Sequence, residues 1–274
     1  MGGKRDVIPE DRLPPGFAER IDEPPQDAAT PAPAATVVLA RPAADGFEVL
    51  LLKRHRQSGF VPGAFVFPGG SVDPADSNAE LIGRADGMAA EPEPAYWMAA
   101  AREAFEETGL LLGVRADGVA CTLDRDNPAL KTWREALMAD NATLLDVLSA
   151  EDVRLDFSHA AYCGHWITPV AEPRRYDTRF FLAEVAADCD ADIDAREMSE
   201  CVWLTPAAAL ERFEAGRLPM VFPTVSTLEE LATFTTLDEA LEHYRNRTIE
   251  PVLPRFVRRY GGIGIEIDET KEDA

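Results

Sequence analysis

The chain has 274 residues, 46% of them hydrophobic, and a formal net charge of −22. This size and apolar content predict one folded domain of roughly 200 residues plus tails. The acidic excess argues against broad nucleic-acid binding, which depends on phosphate neutralisation by Lys and Arg. It leaves room for a small-molecule nucleotide that is held by a metal ion and a few arginines.

Four cysteines are scattered along the chain without a Cys-x-x-Cys pair: Cys121, Cys163, Cys189 and Cys201. This spacing predicts reduced thiols rather than a disulfide scaffold or a zinc site. Residues 1–6 lack an apolar core behind them, so we expect no secretory signal. No apolar run is long enough to cross a bilayer, so we expect no membrane partner and a cytoplasmic location.

The first predicted elements follow a segment rich in Pro and acidic residues. Residues 1–32 are interpreted as an irregular N-terminal arm. Three strands come next, the first two joined by a turn at Asp45-Gly46: Ala35–Leu39, Phe47–Lys53 and Ala64–Phe67. The third strand enters Gly69-Gly70, where a backbone without side chains can approach a ligand closely.

The rest of the chain alternates predicted helices and strands. Helices are expected from near Pro94 through the acidic stretch discussed below, and then at 128–140, 143–150, 205–215, 226–234 and 237–246. The helix at 226–234 is assigned Ser226 as its N-cap, with Glu229 in the capping-box position. Strands are expected at 161–168, 178–185 and 201–204. A mixed sheet with helices on both faces, an α/β sandwich, should therefore fill a domain of residues 33–255, followed by a tail at 256–274.

The most informative stretch runs from Arg102 to Leu110. A helix here places Glu103, Glu106 and Glu107 on one face, because these residues are three and four positions apart. Clustered carboxylates repel, and a hard divalent cation with oxygen ligands is the usual relief. The helix alone is more typical of a solvated acidic face than of a metal site. Its combination with the Gly69-Gly70 turn favours a metal site.

This combination resembles the Nudix box, the signature helix of the Nudix hydrolases. The matching residues are Arg102, Glu103, Ala104, Glu106, Glu107, Gly109 and Leu110. The first half of the box departs from the pattern, since Asp76 stands where the family has Glu and the Arg-Glu pair comes about 18 residues late. We interpret residues 77–94 as an inserted loop, because glycines and prolines recur within it.

Two further features narrow the resemblance. The segment 51–70 is similar to the motif that precedes the box in coenzyme A-cleaving Nudix enzymes, with Gly59 in place of an expected Arg. The insertion, together with the segments 165–169 and 173–181, is similar to the Nudix 19-type branch. Members of that branch cleave coenzyme A and its acyl esters. The resemblance extends over about residues 35 to 255 and implies the Nudix α/β/α sandwich.

The resemblance also implies roles for individual residues. Mg²⁺ or Mn²⁺ would be bound by Glu103, Glu106, Glu107 and the Gly69 carbonyl. The catalytic base would be Glu103 or Glu197, and Arg102 would aim the carboxylate of Glu106. The candidate substrate-binding residues are cationic side chains suited to phosphate. Each of them could instead be an ordinary surface charge. They are Arg54, His55, Arg56, Arg174 and Arg175.

The expected reaction is attack of water on one phosphorus of a nucleotide diphosphate. For coenzyme A the products are 3′,5′-ADP and (acyl-)4′-phosphopantetheine, and the cation neutralises non-bridging oxygens and lowers the pKa of bound water. Two alternatives stay open. One keeps the chemistry but takes ADP-ribose, dinucleotides or nucleoside triphosphates, and the other is a Nudix-fold regulatory module without turnover. The expected partner is a small-molecule substrate, and the chain could also form a homodimer.

Overall fold

A computed structural model describes residues 17–22, 27–55, 62–115, 128–193 and 196–267. Its helices are α1 Phe17–Asp22, α2 Ala79–Ile82, α3 Pro94–Thr108, α4 Pro128–Met138, α5 Leu144–Ala150, α6 Pro206–Glu214, α7 Phe222–Leu231 and α8 Leu237–Arg245. Its strands are β1 Ala32–Ala43, β2 Gly46–Arg54, β3 Phe65–Val66, β4 Gly69–Ser71, β5 Ala85–Asp86, β6 Gly113–Arg115, β7 Val153–Asp156, β8 Ala160–Ile167, β9 Tyr176–Glu184, β10 Met198–Leu204, β11 Arg255–Arg259 and β12 Gly262–Glu266. Within these residues, no helix combines the length and apolarity that a membrane crossing needs.

The chain divides into two compact units. The larger contains residues 34–164 and 179–249, and the smaller contains residues 1–33, 165–178 and 250–274. The larger unit is built on a seven-stranded sheet with the order β10-β2-β1-β9-β8, where β3 adds to β2 and β4 adds to β1. Strands β1 and β2 form the predicted hairpin, which pairs Ala40 with Val49 and turns at Gly46, whose φ is 105°.

Both faces of this sheet are buried, as a sandwich requires. On one face, Val37 and Leu50 belong to the main core, which also contains residues of α3, α4 and α5. On the other face, Val38 and Leu51 are also fully buried, because successive strand residues point in opposite directions. Tyr244 of α8 and Cys163 of β8 are buried as well. The predicted α/β sandwich is therefore confirmed.

The segment predicted as an inserted loop, residues 77–94, is more regular than expected. A 3₁₀ turn at Pro74–Ser77 leads into α2, where the Asn78 side chain accepts hydrogen bonds from the amides of Glu80 and Leu81. Strand β5 then pairs in parallel with β7, and β7 pairs antiparallel with β6. These elements are two to four residues long, too short to produce a detectable hydrophobic period.

Other predicted bounds were wrong. The helix expected at 226–234 begins at Phe222 and carries Pro223 in its first turn, so Ser226 is interior and Val221 is the N-cap. Strand β7 was not predicted. The smaller unit contains α1, in the arm predicted to be irregular, and the hairpin β11–β12, in the predicted tail. Gly261, whose φ is 92°, permits the tight turn between those two strands.

Candidate active site

The helix α3 carries the acidic side chains that the sequence singled out. It begins with Pro94 in its first turn and ends before Gly109, whose φ of 73° is the left-handed conformation that closes many helices. Glu103 is 8% exposed and Glu107 is 6% exposed, whereas Glu106 is partly buried. These carboxylates therefore belong to a buried site rather than to a solvated acidic face.

The glycine turn lies directly against this helix. The amide of Gly69 donates to Glu107 Oε2 at 3.2 Å. A Cβ on Gly70 would lie only 2.7 Å from Glu103 Cδ, and one on Gly69 would lie 2.5 Å from the carbonyl oxygen of Ala35. A side chain at Gly69 would therefore clash with the backbone of β1, and one at Gly70 would displace the carboxylate of Glu103.

Arg102 connects the carboxylates to the start of the box. Its Nε and Nη2 donate to the two oxygens of Asp76 at 3.1 and 3.0 Å, although 26 residues separate these partners. Its Nη1 donates to Glu103 Oε1 at 2.7 Å and reaches Glu106 Oε2 at 3.3 Å. Its Nη2 also donates to the carbonyl oxygen of Ser71 at 2.7 Å. The expected pairing with Glu106 is present, and Asp76 and Glu103 share the same guanidinium.

The electrostatics of the site are unfavourable for three negative charges. Burial raises the pKa of Glu103 to about 7, with Arg102 opposing the shift and Glu106 adding to it. Burial also raises the pKa of Glu107 well above its ordinary value; Glu103 raises it further, and the Gly69 amide lowers it. The pKa of Glu106 is raised by burial as well. One guanidinium therefore leaves the cluster short of positive charge.

Two more predicted residues lie near Glu107. Arg54 lowers the pKa of Glu107 and Glu197 raises it, so both charges act on this carboxylate. The backbone explains their position, because β10 pairs antiparallel with β2 and the His55 amide donates to the Glu197 carbonyl at 3.1 Å. The structure thus brings Arg54, His55 and Glu197 to one end of the sheet.

The remaining predicted substrate contacts cannot be placed in this cluster. Arg56 lies outside the described residues. Arg174 and Arg175 belong to the smaller unit. There Arg174 is exposed, and Arg175 donates to the carbonyl oxygens of Thr168 and Ala29 at 3.0 Å each. Their role in substrate binding stays a prediction.

Comparison with known proteins identifies the group to which this site belongs. The chain matches the NUDT19 Nudix domain over residues 26–93 and 82–231. The chain belongs to this Nudix family. It is 27% identical to the acyl-coenzyme A diphosphatase NUDT19 of Xenopus laevis over 245 residues, which cover 74% of this chain and 64% of that protein. It is 29% identical to the Homo sapiens acyl-coenzyme A diphosphatase NUDT19 over 251 residues, which cover 76% of this chain and 67% of that protein.

A solved Nudix structure supports the same assignment. The crystal structure of a NUDIX hydrolase from Alicyclobacillus acidocaldarius is 32% identical, with a TM-score of 0.66, and the match covers 78% of this chain and 96% of that one. The chain spans about two thirds of the length of the curated relatives it matches. The residues predicted to form the Nudix box lie in α3 and the Gly69-Gly70 turn, and α2 and β5 lie within the predicted insertion at residues 77–94.

The donor set of the Nudix box fits a hard divalent cation. It consists of carboxylate oxygens whose pKa values are raised by burial, next to a glycine backbone. Among the residues that the structure describes, no group of three acidic, His or Cys side chains is arranged to hold a metal ion as it stands. Arg102 donates to both Glu103 and Glu106 in this arrangement. A cation would compete with that guanidinium for the same oxygens.

Sequence reasoning underestimated two residues of this site. Asp76 was noted only as a replacement for Glu, yet it is 1% exposed and is the bidentate partner of Arg102. Its spacing from Gly70 was the available signal. Arg134 of α4 donates to the carbonyl oxygen of Glu106 at 2.8 Å. No motif marks Arg134, because a buried arginine on an amphipathic helix looks like a surface charge in the sequence.

Proposed function

We propose that this chain hydrolyses the diphosphate of coenzyme A or an acyl-coenzyme A with Mg²⁺ or Mn²⁺, releasing 3′,5′-ADP and (acyl-)4′-phosphopantetheine. The observation that carries the proposal is the buried carboxylate cluster of α3, in which Glu103 and Glu106 share the guanidinium of Arg102 and Glu107 accepts from the amide of the glycine turn. The substrate is supported by the frog and human relatives, which are acyl-coenzyme A diphosphatases.

The cation would be held by Glu103, Glu106 and Glu107 with the carbonyl of Gly69. When bound, it supplies positive charge to the diphosphate oxygens and acidifies water. Burial raises the pKa of each of the three glutamates, so their ionised forms are unfavourable unless positive charge is added. Binding of the cation is therefore favoured by the same repulsion that destabilises the ionised cluster.

The proton of the attacking water would pass to Glu103 or Glu197. Glu103 is supported by its position in the carboxylate cluster, where Arg102 Nη1 donates to its Oε1 at 2.7 Å. Glu197 is supported by its electrostatic contact with Glu107, although its side chain is exposed. Arg102 holds Glu103 and Glu106 in position through its bond to Asp76.

The phosphates would be bound by cations near the box. Arg54 is the best supported, because it already acts on Glu107 and therefore lies near the proposed cleavage point. His55 is fixed beside it through its backbone bond to Glu197. Arg56, Arg174 and Arg175 are carried forward as candidates from the sequence alone, because a guanidinium fork is suited to two phosphate oxygens at once.

A product analysis tests the proposal. The purified chain is incubated with Mg²⁺ or Mn²⁺ and a panel of coenzyme A, acetyl- and longer acyl-coenzyme A, ADP-ribose, a dinucleotide and a nucleoside triphosphate, and the products are identified by mass spectrometry. Release of 3′,5′-ADP with 4′-phosphopantetheine is expected. Cleavage confined to the other nucleotides contradicts the substrate, and tight binding without turnover of any compound contradicts the enzyme.

A matched pair of variants tests the role of the helix. Glu107→Gln removes a charge from the cluster while keeping the shape of the side chain, so turnover should fall by at least about a hundredfold. Glu211→Gln makes the same chemical change at an exposed position of α6 and should leave the rate unchanged. Both variants should unfold cooperatively in circular dichroism. Equal rates for Glu107→Gln and the unmutated chain would refute the metal-site assignment.

A further inference from the structure

The C-terminal end of α3 is held by two residues from outside the Nudix box. Arg134 Nε donates to the carbonyl oxygen of Glu106 at 2.8 Å, and Arg134 Nη1 lies 3.5 Å from Asp192 Oδ2. The amide of Asp192 donates to the carbonyl oxygen of Thr108 at 2.9 Å. Arg134 and Asp192, here called the Arg134–Asp192 clasp, thus bind the last turn of the helix that carries the carboxylates.

The local backbone explains why a donor is needed at this point. In a continuing helix the amide of Leu110 would donate to the carbonyl oxygen of Glu106. Here that amide donates instead to Thr108 Oγ1 at 3.1 Å, because the chain turns at Gly109. The Glu106 carbonyl therefore lacks its usual helical donor, and Arg134 supplies one.

The chemistry of Arg134 suits this position. Its residue is only 6% exposed, so the hydrogen bond is screened little by water. A cation near a helix C-terminus also interacts favourably with the helix dipole. A buried arginine is costly unless it is paired, and Asp192 provides the opposite charge.

Arg134 acts on the main chain of Glu106. After burial, the groups that set the pKa of that carboxylate are Arg102, which lowers it, and Asp73 and Asp76, which raise it. Fixing the Glu106 carbonyl fixes the orientation of the peptide unit between Glu106 and Glu107. Both side chains leave the helix from the two Cα atoms that this peptide unit joins, so its orientation affects where their carboxylates lie.

We propose that Arg134 is a positioning residue for the metal site, and that it holds the backbone of Glu106 so that the Glu106 and Glu107 carboxylates meet the cation together. This inference rests on the proposed function in one respect, namely that α3 binds the cation. It adds α4, which lies outside the box, to the parts of the chain that determine cation affinity.

The test measures the affinity of the full chain for Mn²⁺ alone by electron paramagnetic resonance, without substrate. Arg134→Met keeps an unbranched, apolar side chain and removes the donor, and the dissociation constant should rise about tenfold, as for other residues that orient metal ligands. Arg134→Lys keeps a cationic donor and should restore most of the affinity. Lys131→Met removes a charge from an exposed position on the same helix and should leave the affinity unchanged.

Kinetics distinguish positioning from a general loss of structure. For Arg134→Met, the Mn²⁺ concentration that gives half-maximal rate should rise, while kcat at saturating Mn²⁺ stays close to that of the unmutated chain. Affinity within twofold of the unmutated chain overturns the inference, as does failure of the unmutated chain to bind Mn²⁺. If Arg134→Met does not fold, Asp192→Asn carries the test, since it removes only the ion pair and should weaken Mn²⁺ binding. Unchanged affinity in that variant overturns the inference.

This result is independent of the substrate. A chain that binds Mn²⁺ but cleaves no coenzyme A contradicts the proposed function, yet the comparison of Mn²⁺ affinities between Arg134→Met and Lys131→Met is still decisive. Conversely, if the unmutated chain cleaves coenzyme A but Arg134→Met and Lys131→Met bind Mn²⁺ equally well, only the proposed role of the Arg134–Asp192 clasp is contradicted.

Discussion

A methyl group added at Gly70 should lower the activity about a hundredfold without unfolding the protein. Gly70 lies in β4, against the carboxylate of Glu103. Replacing it with alanine adds a Cβ that would lie 2.7 Å from Glu103 Cδ and 2.8 Å from its Oε2. An ordinary van der Waals contact begins at 3.4 Å. The carboxylate must therefore move by about 1 Å, since the β4 backbone is paired with β1 and cannot retreat easily.

The size of the effect follows from this displacement. Glu103 is held in place by Arg102, which is itself bound to Asp76, so a shift of Glu103 also disturbs its hydrogen bond to Arg102. A misplacement of about 1 Å in a catalytic group can cost about a hundredfold in rate. Overpacking of this kind costs roughly 1–3 kcal/mol in stability. We expect kcat/KM to fall about a hundredfold, with a folded protein that melts a few degrees lower.

The assay compares Gly70→Ala with a glycine of the same region where an added methyl group would be much less crowded. A Cβ on Gly83 would have its nearest neighbour at 3.3 Å, and this residue has a right-handed φ of −64°. Gly83→Ala should therefore keep its activity. Coenzyme A hydrolysis and thermal unfolding are measured for both variants. A Gly70→Ala rate within threefold of the unmutated chain would show that Glu103 need not occupy the position described above.

Three further results are expected. Asp76→Asn leaves the Arg102 guanidinium buried without its bidentate partner, so the free energy of unfolding in urea should fall by roughly 3 kcal/mol. Asp86→Asn, which weakens an exposed ion pair, should have a much smaller effect. Equal effects of the two variants would contradict the role of Asp76 as a buried partner of Arg102. Burial raises the pKa of Glu103 from 4.5 to about 7, so the contribution of this residue to stability is fully present below about pH 4.5 and is lost as the pH rises through 7. Without divalent cations, Glu103→Gln should therefore raise the melting temperature more at pH 8 than at pH 5. The same shift at both pH values would refute this expectation. Mn²⁺ at about a hundred times its dissociation constant should add about 2.7 kcal/mol of stability, and Glu107→Gln should lose most of that gain in a thermal melt.

The sequence allowed the elements around the site to be predicted because their signals are local. The hairpin β1–β2 is marked by a turn dipeptide and two apolar runs, and α3 by a proline at its start and a glycine at its end. Fixed spacing along α3 then placed its three glutamates on one face. These signals concern residues within one turn of each other, where chain geometry leaves few alternatives.

The features that could not be predicted depend on contacts between distant segments. The two-residue strand β5 exists because it pairs with β7, about 70 residues away, and nothing in Ala85-Asp86 indicates that pairing. Arg134 is 28 residues from the carbonyl group that it binds. Burial, which raises the pKa of Glu103 to about 7, is likewise set by the packing of the whole core. Single-sequence patterns do not contain this information.

The long segment between the Gly69-Gly70 turn and α3, which is predicted to be an insertion in the Nudix box, can be accommodated because the turn and the helix are both fixed by contacts outside that segment. The turn is fixed by the pairing of β4 with β1 and by the bond from the Gly69 amide to Glu107. The helix is fixed by the buried core and by the pair between Arg102 and Asp76. The intervening residues need only close a loop, and the entropic cost of a longer loop grows slowly with its length. The geometry of the carboxylates should therefore depend on Asp76 and Gly70 far more than on the length of the segment that separates them from α3.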